Sequence, residues 1–192
     1  MLKEEISLLF NFQNYKPKHY FRIMNQIPSN SPLKTIPYDY YRLGDESWFE
    51  IKQGLDKGKL MFYSDSYIRS QNTSKTVLFI HGNPECSYTY RKVRKFLINI
   101  SEEPFRMVSI DHIGFGLSDQ ATYQMVCMDH ARNLLQLIKK LNLQNVTLIV
   151  HDWGGPIGIG TFLKEPERVS NLIILNTTVF PIPRTGITFR NY

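Results

Sequence analysis

The chain has 192 residues, 42% of them hydrophobic and 21% charged, with a formal net charge of +6. That is enough length for one domain with a real core, at the composition of an ordinary globular protein. No apolar run approaches the ~20 residues of a membrane-spanning helix, and two cysteines, Cys86 and Cys127, without a CxxC pair form no disulfide framework and fit a reducing compartment.

Residues 1–35 read as an N-terminal appendage. Its start, Met1 to Phe10, places acidic residues before a very short apolar stretch, a poor signal peptide. With no export or spanning segment, the expected location is cytoplasmic. Lys16, Lys18, Arg22 and Lys34 are interleaved with Tyr15, Tyr20 and Phe21, a pattern compatible with nucleic acid or an acidic surface. No basic stripe continues through the chain, so a solvated face is preferred and no nucleic-acid partner is expected. Pro17, Pro28, Pro32 and Pro37 break up this region.

From residue 36 to 192 the pattern is that of a partial core domain. Phe49 to Lys52 and Leu60 to Tyr63 predict two strands joined through Gly54 and Gly58. A polar segment, Ser70 to Lys75, leads into Thr76 to Ile80, an apolar run ending at His81-Gly82. Val93 to Ile100 has helical spacing, Phe105 to Ile110 reads as a buried strand ending at Asp111, and Met125 to Leu141 is an amphipathic helix. Val146 to Val150 is a further strand, Pro156 to Leu163 a close-packed helix, and Leu172 to Leu175 a last strand. Strands alternating with helices imply an α/β fold, a mainly parallel sheet with helices on both faces. In such sheets ligands gather at the carboxyl ends of the strands. Those ends here carry His81 to Pro84, Asp111 to Gly114, Asp152-Trp153 and Asn176.

Between the strand at 146–150 and its helix stands Val150-His151-Asp152-Trp153-Gly154-Gly155. A strand turning sharply into a helix, with small residues just past the turn, holds one side chain above the sheet beside helix N-terminal amides. That is the nucleophile elbow, usually written G-x-S-x-G, with aspartate in the serine position. Asp152 is therefore the candidate nucleophile. Trp153 offers an indole N–H and Asn83 an amide, donors suited to a departing anion, and the backbone N–H groups of both suit an oxyanion. Trp153 can also be read as an aromatic covering the core, and Asn83 as a turn residue before Pro84. Asp111, His81 and His151 read as structural residues pinned beside turns. His112 points toward the rim, where it could touch substrate. Both cysteines read as small buried thiols.

His81-Gly82-Asn83-Pro84, Asp111-His-Ile-Gly-Phe-Gly-Leu-Ser-Asp119 and His151-Asp-Trp-Gly-Gly155 together resemble the α/β-hydrolase superfamily, and more narrowly the haloalkane dehalogenases. The resemblance runs from about residue 45 to the C-terminus. It implies that Asp152 displaces halide and forms an alkyl ester, while Trp153 and Asn83 hold the leaving halide. It implies small apolar substrates, halogenated or lactone, and no metal, cofactor or membrane. Asp111-His-Ile-Gly with Asn176-Thr-Thr-Val-Phe-Pro also resembles the β-lactone decarboxylases of olefin synthesis, the runner-up reading. Epoxide hydrolases rank third, and a non-catalytic truncated remnant is the alternative from another class.

Two departures from the pattern matter. The superfamily order is nucleophile, acid, histidine, yet His19, His81, His112, His130 and His151 all precede Asp152. Asn176 stands where one dehalogenase branch carries its acid. The chain is thus expected to be truncated before the cap and the last strands, lacking acid and base, and inactive by itself. Its last strand, apolar on both faces, would then be an exposed sheet edge open to self-association.

Overall fold

Three short runs, Thr76–Ile80, Phe105–Ile110 and Val146–His151, are almost wholly buried. They form β3, β4 and β5 of a six-stranded sheet in this computed structural model, which describes residues 26–34, 36–37, 39–41 and 44–178. The basic aromatic group at 15–22 and the ending Ile182 to Tyr192 lie outside the described residues.

The other strands are β1 (Glu46–Glu50), β2 (Leu60–Ile68) and β6 (Val169–Leu175), and the order across the sheet is β1-β2-β4-β3-β5-β6. β3 pairs parallel with both β4 and β5, and β5 pairs parallel with β6. β1 and β2 add an antiparallel hairpin at the β4 side. The helices are α1 (Arg91–Ile100), α2 (Cys127–Leu141) and α3 (Gly154–Phe162). Each sits on a crossover between parallel strands, as expected when strands cannot be joined by tight turns. From β3 the chain steps to β4 on one side and then to β5 on the other. The strand order therefore reverses at β3, and a crevice opens at the carboxyl ends there.

Both faces of the sheet are covered. Leu78, Ile80, Val108, Ile110, Leu148 and Val150 pack against Leu134, Leu137 and Ile138 of α2 and Ile157 and Phe162 of α3. The alternate residues Phe79, Phe105, Met107 and Ile149 pack against Tyr90 and against Leu97 and Ile98 of α1. A third cluster of Tyr40, Phe62 and Leu117 gathers Ile27, Leu33 and Ile36 around it.

β2 extends five residues past the predicted Tyr63. Ser64 and Ser66, which look like turn residues in sequence, are fully buried. The Ser64 hydroxyl meets that of Ser109 at 2.8 Å and Ser66 donates to Asp45, so their polar atoms are satisfied inside the sheet. Asp65 holds Arg106 across the strands through two nitrogens, at 2.8 and 2.7 Å. β6 starts three residues before the predicted Leu172, and Leu172, Ile173, Ile174 and Leu175 are each 41–47% exposed. Among the described residues it pairs with β5 alone and is an open edge.

Candidate active site

β5 passes into α3 through Asp152, whose φ of +49° lies in the left-handed region. A β-substituted residue there is strained and is held by its surroundings. The Asp152 carbonyl accepts from the Gly155 N–H at 3.1 Å and from the Thr177 hydroxyl. Gly154 starts α3 against β3, where an added Cβ would stand 2.3 Å from the Ile80 carbonyl oxygen. Gly82, just after β3, lies so close that a Cβ would stand 2.4 Å from that of Asp152. The two turns are thus in contact because each lacks a side chain where they meet.

This contact positions the carboxylate. Asn83 donates its backbone N–H to Asp152 Oδ1 at 2.8 Å. No other hydrogen bond to the carboxylate forms among the described residues. Trp153 follows directly and is 44% exposed, so it is a surface residue and not a core plug. Asp152, Trp153, Asn176, Thr177 and Thr178 line an open cleft of about 330 Å³. The first turn of α2 stands nearby: burial pushes the Cys127 thiol up, and the Asp152 charge adds to that shift. A larger groove, about 1040 Å³, runs between the β1–β2 hairpin and α2 and does not include Asp152. The candidate site is chosen by the carboxylate's setting and not by cavity size.

The residues around it support the turns. Asp111 is fully buried, and its oxygens accept from Tyr40 Oη at 2.7 Å and from the backbone N–H groups of Ser87 and Leu117 at 2.8 Å. Burial, then the charge of Asp111, drives the Tyr40 hydroxyl far above its usual range. His81 has no exposed surface; its Nδ1 meets the Gly82 carbonyl at 2.7 Å and its Nε2 accepts the His112 N–H at 3.0 Å. These partners place the ring proton on Nδ1. The Glu85 carboxylate meets His151 Nδ1 at 3.0 Å, joining the β3 turn to the residue before Asp152.

His112 departs from its sequence reading. It is 1% exposed, with its ring 4.5 Å from that of His81 and 5.1 Å from that of His130, and among the described residues neither ring nitrogen has a hydrogen-bond partner. It cannot touch a ligand at the rim, because its buried ring packs between those of His81 and His130, the latter in the first turn of α2. Burial, with His81 and His130 alongside, holds it well below the usual histidine range. His130 is held at about 4, first by burial and then by His81. His130 could have been found from its spacing, since it shares a helix face with Leu134, Leu137 and Ile138. Thr177 and Glu85 carry no such signal, because their partners are distant in sequence. Among the described residues there is no group of three or more His, Cys, Asp or Glu that could hold a metal ion. No helix among them is long and apolar enough to cross a membrane.

The arrangement presents a carboxylate with one oxygen anchored, on a cleft that Trp153 also lines. Residues 75–191 match the family model described as alpha/beta hydrolase fold. A cis-3-alkyl-4-alkyloxetan-2-one decarboxylase of Shewanella oneidensis is 38% identical over 120 residues, 60% of this chain and 36% of that protein. Haloalkane dehalogenase 2 of Mycobacterium tuberculosis is 30% identical over 140 residues, 71% of this chain and 43% of that protein. Among solved structures, a haloalkane dehalogenase from Paraglaciecola agarilytica matches with a TM-score of 0.64 at 27% identity, covering 85% of this chain and 51% of the other. The chain spans about half or less of the length of these relatives.

Proposed function

Since the chain belongs to the alpha/beta hydrolase fold family, we propose that Asp152 is the attacking carboxylate of a hydrolase of the haloalkane dehalogenase type. The observation that carries this reading is the anchored Oδ1, held by the Asn83 N–H at 2.8 Å, in a left-handed turn followed by Trp153. With Oδ1 held, Oδ2 attacks the carbon bearing the halogen. A C–O bond forms, the C–halogen bond breaks, and the electron pair leaves with the halide. The Trp153 indole and the Asn83 side chain donate to that anion as charge grows on it. The ester carbonyl then keeps the Asn83 backbone N–H.

Hydrolysis of the ester needs a base to activate water. No histidine follows Asp152 in these 192 residues, so this chain alone is expected to alkylate once and stop. The substrates are small, apolar and halogenated. The test is incubation with 1-bromobutane, followed by intact-mass and peptide analysis. One butyl group should appear on Asp152 with one equivalent of bromide, and none on the Asp152→Asn variant. Repeated turnover, or butylation elsewhere only, would refute the reading. Reading the gene past the codon for Tyr192 tells whether a downstream acid and histidine exist.

A second reading is favoured by a specific observation: the oxetanone decarboxylases match at 38% and 34% identity, above the 30% of haloalkane dehalogenase 2. In that reading the same carboxylate acts on a strained β-lactone bearing alkyl chains. Alkene formation from a cis-3,4-dialkyl-oxetan-2-one by this chain joined to the C-terminal part of a full-length relative, lost on Asp152→Asn and without halide release from 1-bromobutane, would decide for it.

A further inference from the structure

The Asn83 N–H can hold Asp152 only while the turn from Gly82 to Cys86 stays seated on the elbow. Besides the close packing of Gly82 on Asp152, the turn is held on its own side by His81, whose Nδ1 meets the Gly82 carbonyl at 2.7 Å. Within the turn, the Glu85 N–H reaches the Gly82 carbonyl at 3.3 Å, near the outer limit of a hydrogen bond. Beyond it, the Ser87 N–H is fixed to Asp111 at 2.8 Å, and Tyr90 donates to the Ile80 carbonyl at 2.8 Å. Both of those flank the turn; neither crosses to the elbow. Among the described residues two hydrogen bonds do cross. In one the Asn83 N–H donates to Asp152 Oδ1; in the other Glu85 Oε2 accepts from His151 Nδ1 at 3.0 Å.

We propose that Glu85 and His151 form a positioning pair that latches the turn after β3 to the elbow and so keeps the Asn83 N–H on Asp152. The inference rests on the reading of Asp152 as the attacking carboxylate. Neither side chain touches the reacting atoms; both act through Asn83. The geometry is a clamp: the two bonds lie two residues apart on the turn, at Asn83 and Glu85, and on adjacent residues of the elbow, at Asp152 and His151. The Glu85 and His151 side chains are 29% and 30% exposed. A pair so open to water adds little to global stability. Reaction rate is more sensitive, because a misplacement of about 1 Å near the reacting groups can cost up to about a hundredfold. The pair should therefore show itself in rate and local protection, and not in melting temperature.

The experiment uses the 192-residue chain, with 1-bromobutane as the probe, about 20 °C below the melting temperature of every variant. Glu85→Ala should slow butylation of Asp152 about tenfold and speed hydrogen exchange at the Asn83 amide, with an unchanged melting temperature. Glu85→Gln keeps an acceptor oxygen and His151→Asn keeps a donor near the Nδ1 position, so both should stay close to the wild-type rate. The proposal is overturned if Glu85→Ala butylates at the wild-type rate, or slows without faster exchange at Asn83. It is also overturned if the conservative variants are as slow as Glu85→Ala. Wild-type chain that is never butylated on Asp152 would count against the reading of Asp152 itself. The exchange arm would still decide the latch in that case.

Discussion

The histidines buried among the described residues, His81, His112 and His130, make the fold sensitive to mild acid, and the size of the effect can be worked out for His130. Its ordinary value is 6.5, and burial in the first turn of α2 brings it to about 4. In the unfolded chain the ring takes a proton as pH falls through about 6.5, whereas in the fold it stays neutral until about pH 4. Over that window the unfolded state binds more protons, so stability is full above about pH 7 and declines toward pH 4. The drop from 6.5 to about 4, at 1.36 kcal/mol for each step of one in pH, is worth about 3 kcal/mol. His81 and His112 are displaced in the same direction by burial, which steepens the decline. Against a typical total of about 5–15 kcal/mol, this is a large share.

The assay is urea unfolding followed by tryptophan fluorescence at several pH values between about 7.5 and 4.5. With a typical urea slope, the midpoint should fall by about 1–3 M across the range. His130→Leu should flatten the profile by about 3 kcal/mol and leave the part that belongs to His81 and His112. The carboxylate of Asp56 is held below its usual 3.8, with hydrogen bonds from Lys59 and Asn133 lowering it against burial. It therefore adds its own loss only below that window. A midpoint that stays constant from pH 7 to 5, or a His130→Leu profile identical to the wild type, would refute the reasoning.

Two further outcomes follow. Gly154→Ala should destabilise the fold by about 1–3 kcal/mol by thermal or urea unfolding, because the added methyl meets the backbone of Ile80, which no rotamer change can move. The open edge of β6 should make the chain self-associate in sedimentation experiments. Ile173→Lys, which puts a charge on that edge, should shift the population toward monomer.

Much of the fold was legible in the sequence because its signals are local. Thr76 to Ile80, Phe105 to Ile110 and Val146 to Val150 are apolar runs of strand length, and each became a central strand of the sheet, the last extended to His151. Glycines at 154 and 155 after an aspartate marked a close strand-to-helix turn, and Asp152 does occupy it. The end of β2 was not legible. Serines at 64 and 66 resemble loop residues until Ser109 and Asp45 arrive to satisfy them.

The chemistry-bearing residues at the strand ends were set by sequence order, since parallel strands joined by helices bring their carboxyl ends to one rim. Which of those residues face outward was decided only in three dimensions. His112 and Asp152 each closely follow the end of a strand, yet one is buried between the rings of His81 and His130 while the left-handed elbow leaves the other side chain beside a cleft. The bonds that hold the elbow, from Asn83, Glu85 and Thr177, span 69, 66 and 25 residues of chain. Periodicity and spacing report on neighbours along the chain, whereas burial and hydrogen bonding over such separations exist only once the sheet has brought the turns together.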